Sequence, residues 1–316
     1  FNELIRAKAD TCMFRGNRLV GANLSKPATL KMADAILSLP NGPIDFEDNT
    51  IRIEVDAVFY NHLWDLVNDN GAMIAYDCRL MAKGNGWKIT AKGKNHKGIY
   101  VHKSAQIAKG AYLDDSLGPI VIDCDAIVEP RSVIQGPSYI GKNSRVMGGV
   151  IREGCSLGPV CKVGGELEES IILGYSNKCH EGFIGHAYLG EWVNLGALTT
   201  NSDLKNIYSP VKVTLDGKEI DTGSLKVGCF IGDHTKTGIG TLFNTGLVIG
   251  FCCNLYGGTL FTEREIRSFS WGTPGNITRF KLEKAMEIAG SAMSRRGQEF
   301  NEVHKALFTN IHGSDK

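Results

Sequence analysis

A spacing of six residues organises most of this chain. From Ile122 onward, aliphatic side chains recur at Val128, Ile134, Ile140 and Val146, and four residues after each member of the series stands something small: Ala126, Ser132, Ser138, Ser144 and Val150. The same period runs upstream through Val101, Ile107 and Leu113, with Ala105 and Ala111. It returns at Ile231, Thr237, Phe243, Ile249 and Leu255, with Thr235, Thr241, Leu247 and Cys253. An amphipathic helix repeats at about 3.6 residues and a half-buried strand at about 2, so neither accounts for it. A hexad suits one short strand plus a turn, with one bulky side chain pointing inward and one small residue near the corner. Three hexads close a triangular coil. Stacked coils form a parallel β-helix, because an isolated coil cannot bury its inward face whereas neighbours above and below can. The 38 glycines, most of them after residue 98, serve the frequent turns.

Two segments depart from the hexad. Residues 201–226 break its phase, and "VKVTLDGKEI" within them reads as a hairpin turning at Asp216-Gly217, a loop thrown out from one corner. After Trp271, an apolar stripe through Phe280, Ala285, Ile288, Ala289, Met293, Phe300 and Leu307 predicts a helical tail with Thr278 as its N-cap, packed on the solenoid or on a neighbouring subunit. The first 98 residues follow a different, α/β pattern. "KPATLKMADAILSL" reads as a helix, "IRIEVDAVFYNHLWDLV" as a strand entering a helix, and "GAMIAYDCRLM" as a further strand. The expected division is an α/β region over 1–97, the β-helix over 98–276 and the helical tail over 277–316, with the junction in "KGKNHKG".

Composition narrows the partners. Lys and Arg total 35 against 34 Asp and Glu, with no polybasic block interleaved with aromatics, so no nucleic acid is expected. No apolar run approaches the roughly 20 residues that span a bilayer, and "FNELIRAKAD" lacks the order of a signal peptide. No membrane association is expected. Nine cysteines, odd in number and without a C-x-x-C pair, read as reduced core thiols of a cytoplasmic protein.

In a solenoid the inward positions are spent on packing, which leaves turns, loops and grooves for function. "CHEGFIGHAYLG" puts His180 and His186 one hexad apart. With Cys179 and Phe183 taken as the inward and small positions, His180 lies exposed beside a corner and His186 at a turn on the adjacent face, so the two do not touch. Asn194, Asn201, Ser202, Asp203 and Lys205 stand nearby in sequence and form, with a near-neutral base, a polar cluster on an otherwise aliphatic surface. His234 reads as a turn residue or interface contact and Cys252-Cys253 as core. His62, His96, His102, His304 and His312 have no constellation around them.

The run from His180 to Asn201 resembles the left-handed β-helix acetyltransferase domain of the bifunctional enzymes that make UDP-N-acetylglucosamine, down to inward residues that step by five and then six from Ile184 to Leu189 to Leu195. The resemblance implies an acetyl-CoA-dependent N-acetyltransferase acting on an amino-sugar 1-phosphate such as glucosamine 1-phosphate, working as a homotrimer without a metal. His180 falls on the family's general base. Phe183, Asn194, Asn201 and Lys205 fall on or near substrate-binding positions, and Ala197, Asp233 and Gly257 on positions that meet acetyl-CoA. Three positions depart from the family: Leu198 replaces a glycine, Glu169 a lysine expected at the sugar phosphate, and Phe183 the usual tyrosine. The donor is thereby more firmly implied than the acceptor.

Two other readings are carried. The region over 1–97 resembles the last part of a sugar-nucleotidyltransferase domain, and the activity is then nucleotidyl transfer with the β-helix as a trimer scaffold. Mg2+ is needed only in that case; the family's Gly-rich nucleotide loop is absent from this sequence. The remaining reading is a non-catalytic solenoid that binds partners.

Overall fold

The computed structural model describes residues 7–38, 50–81, 86–90 and 97–314. Most of the expected junction at "KGKNHKG", including His96, lies outside them. The chain divides into two compact units, Phe1–Asn61 and His62–Lys316.

In the first unit the strand Thr11–Arg15 pairs antiparallel with Arg18–Asn23 and parallel with Ile51–Glu54. Helix α1, Lys26–Ser38, follows the hairpin as the sequence predicts. Cys12, Met13 and Phe14 on the central strand are buried, and the Arg52 guanidinium lies 3.7 Å from the Phe14 ring centroid.

The second unit is the parallel β-helix. Its strands fall on three faces, visited in rotation. The first face is a ten-stranded sheet that includes Ser138–Ile140, Cys155–Leu157, Ile171–Ile172, Tyr188–Leu189 and Phe230–Ile231. The second includes Arg145–Val146, Lys162–Val163 and Asn177–Lys178, continues through bridges at Asn194 and Lys236, and resumes at Asn254–Leu255. The third includes Val150–Ile151, Glu166–Glu168 and Phe183–Gly185, and continues through Thr200–Asn201, Leu242–Phe243 and Leu260–Phe261. One edge of the prism separates the first face from the second, a second edge separates the second from the third, and a third edge closes the coil.

Ile122, Val128, Ile134, Ile140 and Val146 are all fully buried in one continuous core, as the hexad requires. Ser132, Ser138 and Ser144 are equally buried, and their hydroxyls bond between coils: Ser144 Oγ donates to the Gly158 carbonyl at 2.6 Å and accepts the Cys161 amide at 2.9 Å. A small side chain there lets the next coil approach, and a hydroxyl satisfies the backbone groups that a corner leaves free of the ladder.

The first edge carries an unusual load. At Asp125, Asn143, Val160, Tyr175, Trp192, His234, Cys252 and Phe269 the backbone turns with φ between 53° and 61°, a left-handed conformation that costs a non-glycine residue about 1–3 kcal/mol. The side chains repay part of that by packing on one another. Tyr175 stacks on Trp192 at 4.3 Å, and His234, Phe251 and Phe269 extend the column.

Segment 201–226 leaves the prism and folds back over the first face. The hairpin Lys212–Leu215 with Lys218–Asp221 turns at Asp216 and Gly217 as predicted, and its two turn amides are held by the Glu265 carboxylate at 2.8 and 2.9 Å. Val211, Val213, Val227, Phe230 and Trp64 make a second apolar cluster outside the coil, so this segment is a cover more than a free loop.

Two expectations are corrected. Residues 71–81 are the C-terminal part of helix α2, Leu63–Met81, and not a strand. Its buried residues, Trp64, Val67, Asn70, Ile74 and Cys78, step by three and four, and its Asn70 amide donates to the Gly154 carbonyl at 2.7 Å on the coil. Thr278 belongs to the strand Asn276–Arg279, which pairs antiparallel with Ser270–Thr273 and uses the Thr278 hydroxyl within that pairing. The tail is two helices, α3 over Leu282–Ser294 and α4 over Glu302–Ser314. Phe308 of α4 is fully buried against His234, Phe251, Phe269 and Phe300.

The Phe308→Ala substitution is therefore expected to cost about 3–5 kcal/mol and to open the tail. Urea denaturation and limited proteolysis between residues 280 and 314 check it.

Candidate functional site

The second face and its two bordering edges hold most of the residues singled out in the sequence. His180 is exposed in the four-residue turn between Asn177–Lys178 and Phe183–Gly185, on the second edge. Ala197 and Gly257 lie on the same edge in coils above it, with the Ala197 carbonyl accepting the Gly240 amide at 2.8 Å. Asn194 lies exposed on the second face and accepts a hydrogen bond from Asn177 Nδ2 at 3.3 Å. Asp233 borders the same face from the first edge. Its Oδ1 accepts the Glu191 amide at 2.8 Å, and burial pushes its carboxyl pKa up.

A cavity of about 550 Å3 opens on this face, beneath the end of α3. Asn177, Asn194, Tyr175 and Trp192 line it, together with Cys179, the residue before His180. Lys162, Lys236, Arg295 and Arg296 line it as well, and no carboxylate does. Among the described residues none of these four cations lies within ion-pairing distance of an acid. Arg296 donates to Asn177 Oδ1 at 2.8 Å, and burial pulls the Lys236 pKa down. Cations gathered and partly desolvated without counter-charge form a receptor for an anion.

Other predicted residues sit elsewhere. Phe183 is on the third face, half-buried, its amide on Thr200 Oγ1 at 3.2 Å. Lys205 is in the covering segment, where its ammonium donates to the Pro210 carbonyl at 2.6 Å. Asn201, expected against the sugar, points into the coil. It is 1% exposed, its Oδ1 accepts the Gly185 amide and its Nδ2 donates to the Gly185 carbonyl, each at 2.9 Å. That position belongs to the inward row over Phe243, so the amide serves as a substitute rung of the ladder. The inward residue before His180 is Lys178, and not Cys179 as the hexad phase assumed: Lys178 pairs with inward Val163 and is 1% exposed, while Cys179 faces the cavity.

His186 is where the sequence reading missed most. It occupies the third edge with φ 49° and is 6% exposed. Its Nδ1 meets Asp203 Oδ2 at 2.8 Å and its Nε2 meets Glu169 Oε2 at 3.3 Å. Lys226 holds Glu168 at 2.9 Å beside it, and Arg152 reaches Glu166. Although Glu168, His186 and Asp203 could converge on a metal ion, each is already engaged in this network. Burial works against the charged imidazole, but the hydrogen bonds and charges of Asp203 and Glu169 outweigh it and push the pKa up to about 9, while both carboxyl pKa values are lowered. His186 is a clamped cation that ties the covering segment to the coil. His234 is its opposite: 6% exposed, with Nδ1 unpartnered among the described residues, it is held neutral by burial, its pKa down at about 3.

The His186 pairing stabilises the fold fully below its unfolded pKa near 6.5, and that contribution, on the order of 3 kcal/mol, is lost as pH rises through about 9. The stability gap between wild type and His186→Gln is expected to shrink steadily between pH 6.5 and 9.5 in urea titrations. A gap independent of pH would contradict the clamp.

No protein-family model matches the chain. Over 95 residues, 30% of its length, it is 37% identical to the bifunctional sugar-1-phosphate nucleotidylyltransferase/acetyltransferase of Sulfurisphaera tokodaii, covering 24% of that protein. Over 143 residues, 45% of its length, it is 34% identical to the bifunctional protein GlmU of Methanocaldococcus jannaschii, covering 29% of it. It is 28% identical over 202 residues, 62% of its length, to the uncharacterized acetyltransferase YaiX of Escherichia coli, covering 82% of that chain. The chain thus spans about a quarter of the length of the first two relatives. The chain has the hexad core wound over three parallel faces that the sequence resemblance implies, and two of these three relatives are named as acetyltransferases.

Proposed function

We propose that this chain is an acetyl-CoA-dependent N-acetyltransferase whose acceptor is an amino-sugar 1-phosphate, glucosamine 1-phosphate being the type case, and that it works as a homotrimer. The observation that supports this reading is an exposed imidazole, His180, next in the chain to Cys179, which lines a cavity together with Asn194 and four cations without a counter-charge. The amine nitrogen of the acceptor attacks the thioester carbonyl carbon and a C–N bond forms. His180 takes the amine proton, the C–S bond breaks, and the proton passes to the leaving thiolate. An amide such as that of Asn194 can donate to the oxyanion of the tetrahedral intermediate. The cations suit the phosphate groups that both substrates bring, and Ala197, Gly257 and Asp233 border the same face as contacts for the acetyl-CoA arm. Phe183 and Lys205 are assigned to the acceptor by resemblance alone. The buried Asn201 takes no part in binding.

His180→Ala is expected to lower kcat by about 10²- to 10⁴-fold with little change in the KM for acetyl-CoA, measured as CoA release with glucosamine 1-phosphate. Turnover at the wild-type rate would sink the assignment. Arg296→Gln is expected to raise the KM of a phosphate-bearing substrate roughly tenfold, the equivalent of one charged hydrogen bond. Its steady-state KM values for donor and acceptor identify which phosphate the cavity holds.

A further inference from the structure

The turn that carries His180 is longer than the turn it stacks on. Between Lys162–Val163 and Glu166–Glu168 the chain rounds the second edge with Gly164 and Gly165 alone. One coil higher, residues 179–182 cover the same span, because Val163 pairs with Lys178 and Glu166 with Phe183. Four residues is also the length of the turns at 129–132, 238–241 and 256–259 on this edge, so the turn at 164–165 is the short one, and it brings the His180 and Gly182 carbonyls close to Gly165.

Lys178 is buried over that short turn, its Nζ against Gly165. Its neighbours in the inward row of the second face are Val128, Val146 and Val163 below and Leu195, Thr237 and Leu255 above, so an ammonium is chemically foreign there. Its Nζ donates to the His180 carbonyl and lies 3.5 Å from that of Gly164. A Cβ on Gly165 would fall 2.7 Å from this nitrogen and 2.8 Å from the carbonyls of both His180 and Gly182, so the glycine keeps the enclosure open. No carboxylate is paired with Lys178 among the described residues, and burial pulls its pKa down to about 8. Burying an amine without an acid is costly, and a methionine would fill the row without that cost. What the amine adds, and an apolar chain cannot, is a hydrogen bond to the turn from behind.

We infer that Lys178 is a positioning residue for the His180 turn: its ammonium, enclosed within the coil and bonded to the His180 carbonyl, holds residues 179–182 in the shape that presents the imidazole to the second face. The inference rests on the assignment of His180 as the base. It concerns a residue that touches no substrate. The outward contacts of the same turn are the Glu181 carbonyl, which accepts the Leu198 amide at 2.7 Å, and the Gly182 carbonyl, which accepts the Glu166 amide at 3.1 Å.

The test compares Lys178→Met, Lys178→Gln and His180→Ala with wild type in the full chain, by CoA release from acetyl-CoA with glucosamine 1-phosphate, by thermal melting and by hydrogen exchange at the Leu198 and Glu166 amides. Lys178→Met is expected to lower kcat at least about tenfold, to leave the KM for acetyl-CoA within about twofold, to melt no lower than wild type, and to exchange faster at those two amides. Lys178→Gln, which can still donate to the His180 carbonyl, is expected to recover part of kcat and of the protection. Wild-type kcat with unchanged protection in Lys178→Met, while His180→Ala is inactive, overturns the inference. If His180→Ala turns over normally, or wild type does not turn over, the functional reading fails separately. The exchange data then decide: faster exchange in Lys178→Met keeps Lys178 as the holder of the turn, and unchanged exchange removes it.

Discussion

Coil-on-coil stacking governs every other feature of the β-helical unit. A two-residue strand offers one side chain to the interior and one to the surface, so each face contributes one strand residue per turn, in places joined by a second at the corner as with Cys155 and Leu157, and the core is a column of such contributions. Such a column tolerates little error, since a position out of phase exposes an aliphatic side chain and buries its neighbour. The buried serine hydroxyls and the Asn201 amide show how polar groups are admitted: each replaces a backbone rung that a corner or the departing chain has removed. Lys178 follows the same rule with a charge.

Because the interior is fully committed, chemistry is pushed to the edges, and the three edges have diverged. The first is paved with left-handed corners whose aromatic side chains stack and receive the tail helices, which places Arg295 and Arg296 over the second face. The second carries the four-residue turn with His180. The third gathers Glu169, His186 and Asp203 into a closed ionic network. Charges on the third edge neutralise one another and serve stability, whereas the cations lining the second face have no carboxylate partner among the described residues. Two histidines six residues apart thus acquire opposite characters, one exposed and one clamped, because consecutive edges face different neighbours.

The hexad positions from Ile122 to Val146, the hairpin at Asp216-Gly217 and the exposure of His180 were legible because each depends on local spacing or turn chemistry alone. Other elements were not. Residues 71–81 carry apolar side chains compatible with either period, and only the coil surface that receives Trp64, Val67, Asn70, Ile74 and Cys78 selects the helix. The inward phase at 178 was misassigned because a lysine in a core row contradicts ordinary burial preference, and the carbonyls that accept its ammonium belong partly to the preceding coil.

By itself, then, the sequence determined the repeat, its three faces and the exposure of His180 beside a corner, since a six-residue period fixes the inward side chains wherever its phase holds, as it does from Ile122 to Val146. Tertiary structure decided the rest. It set the cavity formed by the end of α3 against the second face, the clamp on His186, and the inward burial of Asn201. Those outcomes depend on residues brought together from distant parts of the chain, such as Asn177 with Arg296 and His186 with Asp203 and Glu169, and no local spacing encodes such meetings.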